Sequence, residues 1–485
     1  MKKSYLIAAL AAANLLGGSV SAQELNKKVS SDKYMRNSVC LMMMEDASVP
    51  QKEVLREAFL NAEWSAKYND HNIGERIIDP ALYTLGEGDY ASFNMACVPT
   101  DQYLELRQTG AEAPKQSYYN ETMNQILREL MATQTKTVDT VIRLNVARTA
   151  NKYLVEHGVA KQLADKWLLD AEGNYTEALL RERGMLNASE DDKDIAAATE
   201  VGAHYLLRQI DLEELFGNTF VVVTRFGYKL KDDLVADIML PMYAAAQFDP
   251  SGYAAAGLKA AEMTTKMSMG KGYYVTVDSY LFRLRWNDDL LESFYGLWDE
   301  SGNIDLSKYD ASDLFALQFI GNERAWAKTK AGIFSDKDES ELIRMAAVDA
   351  VDDVLAKFEK KYDEFKTKTP LIVHETTDKK GNAVRTYAAR IGTRDGLKGG
   401  EVFEVLEKEV YEKDGAERVR YNKKGELTVS KKQVWDNTYS AGQEEAAGLN
   451  DKKKGEAPTE TLLEGKDKQA YYEGMLLRMK SSKKK

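Results

Sequence analysis

Cysteine and histidine are scarce in this chain of 485 residues, which contains two and four of them. The histidines, His71, His157, His204 and His374, are scattered, and none belongs to an H-E-x-x-H motif or to a comparable ligand motif of histidine with an acid partner. The chain also lacks a C-x-x-C pair, a G-x-S-x-G nucleophile elbow and a G-K-[ST] phosphate loop. We therefore expect no metal site built on histidine, no cofactor and no enzymatic activity of these kinds.

Positive charge is also in deficit. Lys and Arg number 66 against 77 Asp and Glu, which gives a formal net charge of -11. An acidic chain is repelled by the phosphates of nucleic acids and by anionic membrane surfaces. Nucleic acid is therefore not expected as a partner.

The first 22 residues differ from the rest of the chain. Lys2 and Lys3 form a basic n-region, residues 6–16 an apolar core, and Val20-Ser21-Ala22 a small-residue cleavage site. This pattern predicts a secretory signal peptide and an exported protein, placed in the periplasm or at the outer surface of a Gram-negative type envelope. No later segment reaches the roughly 18 apolar residues of a spanning helix, so no transmembrane segment is expected after signal cleavage.

Export bears on the two cysteines, because thiols tend to pair in an oxidising compartment. Cys40 and Cys97 each lie in a short apolar run typical of a strand. Neighbouring strands would allow a disulfide between them, whereas two buried free thiols are the other interpretation. The sequence leaves both open.

The mature chain begins with a small α/β unit, which we place at residues 23–115. The apolar run 38–44 predicts a buried strand. Ser48 with Gln51 three residues later matches a capping box, and an amphipathic helix follows. A second strand is predicted near Cys97.

Residues 116–370 predict a helix-rich body around a mixed or antiparallel sheet. The strand-like runs are 219–226, 273–286 and 314–327, which are rich in β-branched and aromatic residues. A long helix over 339–365 carries apolar residues at alternating steps of four and three. Such a seam packs on a sheet or on another helix.

Residues 371–480 alternate short strand-like runs with turn residues and predict a small barrel or sandwich. The predicted strands are 371–375, 383–391, 402–411, 418–421, 427–434 and 475–479, with a turn at Lys424-Gly425.

The glycine-rich loop 392–400 predicts a tight, hairpin-like turn, and not a phosphate cradle, because a strand follows it instead of a helix. A mobile loop is predicted over 436–465, which has few apolar residues, and a basic tail over 481–485.

Two segments carry a resemblance to known families. Residues 384–411 read VRTYAARIGTRDGLKGGEVFEVLEKEVY and residues 472–479 read YEGMLLRM. Together they resemble the SH3-like C-terminal domain of the flagellar assembly T-protein family. Residues 177–207, EALLRERGMLNASEDDKDIAAATEVGAHYLL, are more loosely similar to curli-secretion-channel and TolB N-terminal type domains. The resemblance implies an SH3-like barrel and an envelope-associated, non-catalytic assembly or scaffold protein.

One stretch imitates a calcium loop. Its candidate ligands, at the odd positions and the last position of the loop, are Asp299, Ser301, Asn303, Asp305 and Asp310. The sixth position should be glycine for the sharp bend and is Ile304, and the last ligand is an Asp instead of the longer bidentate Glu. A plain turn is therefore the favoured interpretation, with a calcium site as the weaker candidate.

These patterns predict an α+β fold: a helix-rich body with a mixed or antiparallel sheet, followed by a small SH3-like β-barrel. They indicate a non-enzymatic, exported protein that acts as a binding or assembly module, with an envelope protein or a glycan as partner. The alternative is a secreted glycan or peptide hydrolase. Any fold of a chain with 77 acidic residues brings some carboxylates into pairs, as such hydrolases require.

Overall fold

The structure is a computed structural model that describes residues 37–62, 64–65, 67–89, 143–170, 172–174, 212–230, 273–287, 290, 293–294, 296–297, 304–328, 339–377, 383–413, 416–438, 458–465 and 471–480. Within these ranges the chain forms two β-sheets with helices, which is an α+β fold. The predicted signal peptide, the strand near Cys97, the boundary at 115 and the basic tail lie outside the described residues.

The first sheet has six strands, β1 (Ser38–Met44), β2 (Asn69–Asp70), β3 (Ile77–Ile78), β4 (Thr219–Leu230), β5 (Tyr273–Leu284) and β6 (Leu317–Lys328). Their order is β2-β1-β4-β5-β6, and β3 also pairs with β1. β1 is parallel to β2, β3 and β4, whereas β4, β5 and β6 form antiparallel pairs. The sheet is therefore mixed, and the N-terminal strand belongs to the sheet of the body.

Among the described residues, the helices include α1 (Lys52–Asn61), α2 (Val159–Leu168), α3 (Leu212–Gly217), α4 (Leu306–Asp310) and α5 (Glu339–Lys361), and residues 143–156 are also helical. All seven residues of β1 are buried because helices cover both faces of the sheet. Val39, Leu41 and Met43 pack in a cluster with α1 and α5, while Cys40 and Met42 pack with α2 and residues 143–156. An uninterrupted apolar run is what such a strand requires.

The predicted capping box of α1 is wrong. The helix begins at Lys52 after Gln51, which has a left-handed φ of 62° and makes no side-chain capping hydrogen bond. Ser48 lies too early in the chain to cap this helix, and its hydroxyl donates to Asp46 instead. The apolar stripe that follows is buried as predicted at Leu55 and Phe59.

α5 carries the predicted seam onto the first sheet. Val351, Leu355, Phe358 and Phe365 are buried in one cluster with residues of β1, β4 and β5. The helix ends at Lys361, and a 3-10 helix, Asp363–Phe365, follows it. The predicted apolar seam is therefore confirmed as a buried face, although its last residue, Phe365, lies in the 3-10 helix and not in α5.

The second sheet has seven strands, β7 (Thr369–Pro370), β8 (Ile372–Thr377), β9 (Ala383–Ala389), β10 (Val402–Lys413), β11 (Ala416–Val429), β12 (Thr461–Gly465) and β13 (Leu476–Met479). Their order is β7-β13-β10-β11-β12-β9-β8, and every neighbouring pair is antiparallel. β7 and β8 lie at opposite ends of this order, yet Leu371 alone separates them in the chain. The sheet is therefore nearly closed and barrel-like, and Leu371 is buried in its core.

Three expectations for this sheet need correction. The predicted turn at Lys424-Gly425 is a bulge within β11, since Val405 pairs with Gly425 and Leu406 with Lys423. The predicted mobile loop over 436–465 is too long, because β12 lies inside it and pairs with β9 and β11.

The glycine-rich loop is the third correction. It joins β9 to β10, which are not neighbours in the sheet, so it is not a hairpin turn. It contains a 3-10 helix, Thr393–Asp395, and spans from one part of the barrel to another. Sequence alone does not show which strands pair, and this is why a local turn was the expected answer.

Candidate functional site: the barrel and its junction with α5

The calcium candidates that the structure describes are held by protein groups. Asp305 caps α4 by accepting hydrogen bonds from the backbone N–H groups of Ser307, at 3.1 Å, and Lys308, at 3.3 Å. Hydrogen bonds from Ser307 and Lys308 lower the pKa of Asp305 to about 2. Asp310 lies 3.1 Å from the Lys161 ammonium. Asp299, Ser301 and Asn303 lie outside the described residues, so the calcium site stays a prediction.

Cys40 is fully buried in β1 of the first sheet. For a thiol at this position, burial raises the pKa to about 11, which would keep it protonated near neutral pH. Cys97 lies outside the described residues, and the disulfide therefore stays a prediction.

The described histidines lie in three separate places. His71 is buried and its Nε2 is 2.9 Å from a backbone carbonyl. The Nε2 of His157 is 2.7 Å from a tyrosine hydroxyl, and that of His374 is 2.8 Å from Oε2 of Glu460. His204 lies outside the described residues. Within the described ranges, no three His, Cys, Asp or Glu side chains form a group that could hold a metal ion.

The glycine-rich loop packs against α5 at Gly396. This residue has a φ of 79°, and a Cβ built on it would lie 2.7 Å from Cβ of Ala356. Real carbon atoms do not approach so closely without displacement, so the contact needs glycine. The Lys360 ammonium donates to the carbonyl of Gly396 at 3.0 Å, which adds a polar contact to the junction.

The N–H groups of this loop are used by protein acceptors. Gly399 donates to Oε2 of Glu401 at 2.9 Å, and Gly400 donates to the carbonyl of Val429 at 2.8 Å. Gly392 donates to Oδ2 of Asp395 at 2.8 Å. A phosphate would have to displace these bonds, and this geometry favours a structural role for the loop.

A buried acid lies at the centre of the junction. Oδ2 of Asp352, on α5, accepts a hydrogen bond from Nε of Arg394 at 2.6 Å, and the two side chains are 5% and 13% exposed. Oδ1 of Asp352 is also buried and has no hydrogen-bond partner among the described groups. Burial raises the pKa of Asp352 to about 7, although the Arg394 guanidinium acts in the opposite direction.

A second buried charge lies near the C-terminal end of α5. Glu359 forms an ion pair with Lys67, and the two side chains are 1% and 4% exposed. The hydroxyl of Thr367 donates to the second oxygen of Glu359 at 2.7 Å. The N-terminal segment, the helix and the link to the barrel therefore meet at one carboxylate.

Two ribbons extend from the barrel. β8 and β9 pair as far as Thr377 and Ala383, although the pairing of β9 with β12 ends at Tyr387. β10 and β11 pair as far as Lys413 and Ala416, seven residues beyond the last β10 residue that pairs with β13. Because β8 and β10 run in the same direction through four antiparallel steps, both turns lie at one end of the barrel. The glycine-rich loop lies at the other end, against α5.

The β8–β9 ribbon is open to solvent on both faces. His374, Thr376 and Val384 are exposed, and Glu375 and Arg385 form an exposed ion pair of 2.8 Å. The side chains alternate between faces along a strand, so exposure at consecutive positions shows that neither face is covered.

Side chains of α5 cover the outer edge of the first sheet, at β6. The Lys357 ammonium donates to the backbone carbonyl of Arg324 at 2.9 Å. The hydroxyl of Tyr362 donates to the backbone carbonyl of Asn322 at 3.3 Å. These carbonyls belong to β6, the last strand in the sheet order. Side chains that occupy edge carbonyls discourage the addition of a further strand, so this edge of the first sheet is protected.

Comparison with known proteins finds no family model, no curated protein and no solved structure that matches the chain. Among the described residues, no helix has the length and apolar content needed to cross a membrane.

Proposed function

We propose that the chain is an exported, non-enzymatic protein of a cell envelope and that its C-terminal barrel, of SH3-like type, is a binding or assembly module. The observation that carries this proposal is the pair of β-ribbons at the end of the barrel remote from α5. The export part is supported by the leader pattern over residues 1–22.

The ribbons suit a binding role for a physical reason. A two-stranded ribbon is marginally stable in water, because it buries little apolar surface and leaves backbone groups at its edges. Contact with a partner supplies that missing stabilisation, and an exposed strand edge can accept an added strand. The mixed charges of the β8–β9 ribbon suit a protein or a glycan better than a polyanion.

The position of the resemblance supports the SH3-like assignment. Residues 384–411 cover most of β9 and β10, and residues 472–479 include β13. Both segments that resemble the flagellar assembly T-protein domain thus contribute strands to the nearly closed barrel. The hydrolase alternative stays open, and no described pair of carboxylates specifically favours it.

A matched pair of variants tests the proposal. Glu375→Ala with Arg385→Ala removes an exposed Glu–Arg pair from the β8–β9 ribbon, and Glu57→Ala with Arg344→Ala removes a pair of similar exposure, 2.9 Å apart, from the body. Purified wild-type protein and both variants are used to capture proteins and glycans from envelope fractions of the source cells.

The proposal expects a reproducible partner that the wild type and the body variant retain and the ribbon variant loses. Equal capture by all three, or capture that survives deletion of residues 371–485, would place binding outside the barrel. Cleavage of a cell-wall glycan or peptide by the purified protein would favour the hydrolase alternative instead.

A further inference from the structure

We propose that the junction between α5 and the glycine-rich loop is a proton-controlled coupling, which holds the barrel on the helix while Asp352 is protonated and loosens when Asp352 ionises. Asp352 is buried at this junction, with one oxygen bonded to Arg394 and the other without a described partner, and this geometry is independent of what the barrel binds.

Burial and two neighbouring acids act on Asp352 in the same direction. Burial disfavours its ionised form, and so do the charges of Asp349, one turn earlier on α5, and of Asp395 in the loop, whereas Arg394 favours the ionised form. A proton on Asp352 removes both the cost of a buried charge and the repulsion from these two acids.

The hydrogen bonds distinguish Asp352 from the acids around it. Oδ2 of Asp395 accepts from the N–H of Gly392 at 2.8 Å and from Nδ2 of Asn437 at 2.9 Å. Asp349 is only partly buried. Asp352 is buried, and its Oδ1 has no described hydrogen-bond partner to stabilise a charge.

The expected pH dependence follows from linkage. An exposed Asp titrates at its ordinary pKa of 3.8, whereas burial raises the pKa of Asp352 to about 7. Docking of the glycine-rich loop on α5 therefore takes up a proton between these pH values. The stabilisation of the docked state by this proton is complete below pH 3.8 and is lost as the pH rises through about 7. Within that window the docking equilibrium weakens by up to about tenfold for each pH unit.

Hydrogen–deuterium exchange of the full chain measures this coupling. Peptides that cover residues 392–400 are followed at pH 5.5, 6.5, 7.5 and 8.5, with the intrinsic exchange rates divided out. We expect the protection of the Gly396 and Leu397 amides to fall by roughly tenfold between the two lowest pH values. Asp352→Asn, which keeps the shape and removes the titration, is expected to give a flat profile.

Asp353→Asn is the matched control, because Asp353 is the next residue of α5, is 45% exposed and pairs with Lys357 at 3.1 Å. It should keep the wild-type profile. A wild-type protection that does not change with pH overturns the proposal, even if the Asn variant fails to fold. A pH dependence that persists unchanged in Asp352→Asn overturns it as well.

Discussion

The buried ion pair of Lys67 and Glu359 allows a sharp prediction about stability. Replacing Lys67 by Met keeps a long apolar stem and removes the ammonium, which leaves Glu359 1% exposed with its charge uncompensated. The hydroxyl of Thr367 is then its remaining described donor. Breaking a buried pair from one side costs about 3–5 kcal/mol, mainly because the other charge stays desolvated. At roughly 2–4 °C per kcal/mol for a unit of this size, Tm should fall by about 6–20 °C.

Thermal and urea unfolding, followed by far-UV circular dichroism and by tryptophan fluorescence, measure this loss. Lys152→Met is the matched control, because Lys152 pairs with Asp89 at 2.9 Å but is 22% exposed, and a solvent-screened pair contributes much less to stability than a buried one. The double variant Lys67→Met with Glu359→Leu should recover most of the loss, since apolar replacement of both partners is often neutral. If Lys67→Met costs no more than Lys152→Met, the reasoning about desolvation is refuted.

Three further predictions concern other parts of the chain. Gly396→Ala should destabilise the junction by about 2–4 kcal/mol, from the positive φ and the contact with Ala356, as measured by exchange of the loop amides. The pKa of Glu426 is lowered to about 2 by hydrogen bonds from Lys423 and Lys480. Its contribution to stability is therefore present above pH 4.5 and lost toward pH 2, and acid unfolding of Lys480→Met should begin at higher pH. Mass spectrometry of protein from an exporting host should show Gln23 as the first residue; an intact leader would contradict export.

The spacing of apolar residues predicts the elements whose buried side chains are specified by their own sequence. The run 38–44 is apolar throughout and is a fully buried strand, and the seam through Val351 and Phe358 is the buried face of α5. In both cases periodicity alone specifies which side chains leave water. The same local view failed at Lys424-Gly425, because turn residues and bulge residues have the same composition.

The sequence does not predict which strands or charged residues pair when they are far apart in the chain. β1 pairs in parallel with β4, about 180 residues later, and nothing near Ser38 specifies Thr219 as its partner. Lys67 and Glu359 are 292 residues apart. A partial signal did exist, since Asp352 and Glu359, seven residues apart, each directly follow a residue of the apolar seam, Val351 and Phe358. Acids at such positions need partners when buried, although the sequence does not name the partners.

The two buried acids of α5 explain why this helix joins both halves of the chain. Its apolar seam packs on the first sheet, Glu359 is tied to the N-terminal segment and to the link before β7, and Asp352 meets the loop of the barrel. The two acids are seven residues apart, which is about 10 Å along the helix axis. A helix moves as a unit because its hydrogen bonds are internal, so a displacement of the helix at one acid also displaces the other acid. Lys67→Met should therefore also weaken the protection of the loop 392–400, although Lys67 lies in the body. Unchanged loop protection in a folded Lys67→Met protein would show that the two contacts act independently.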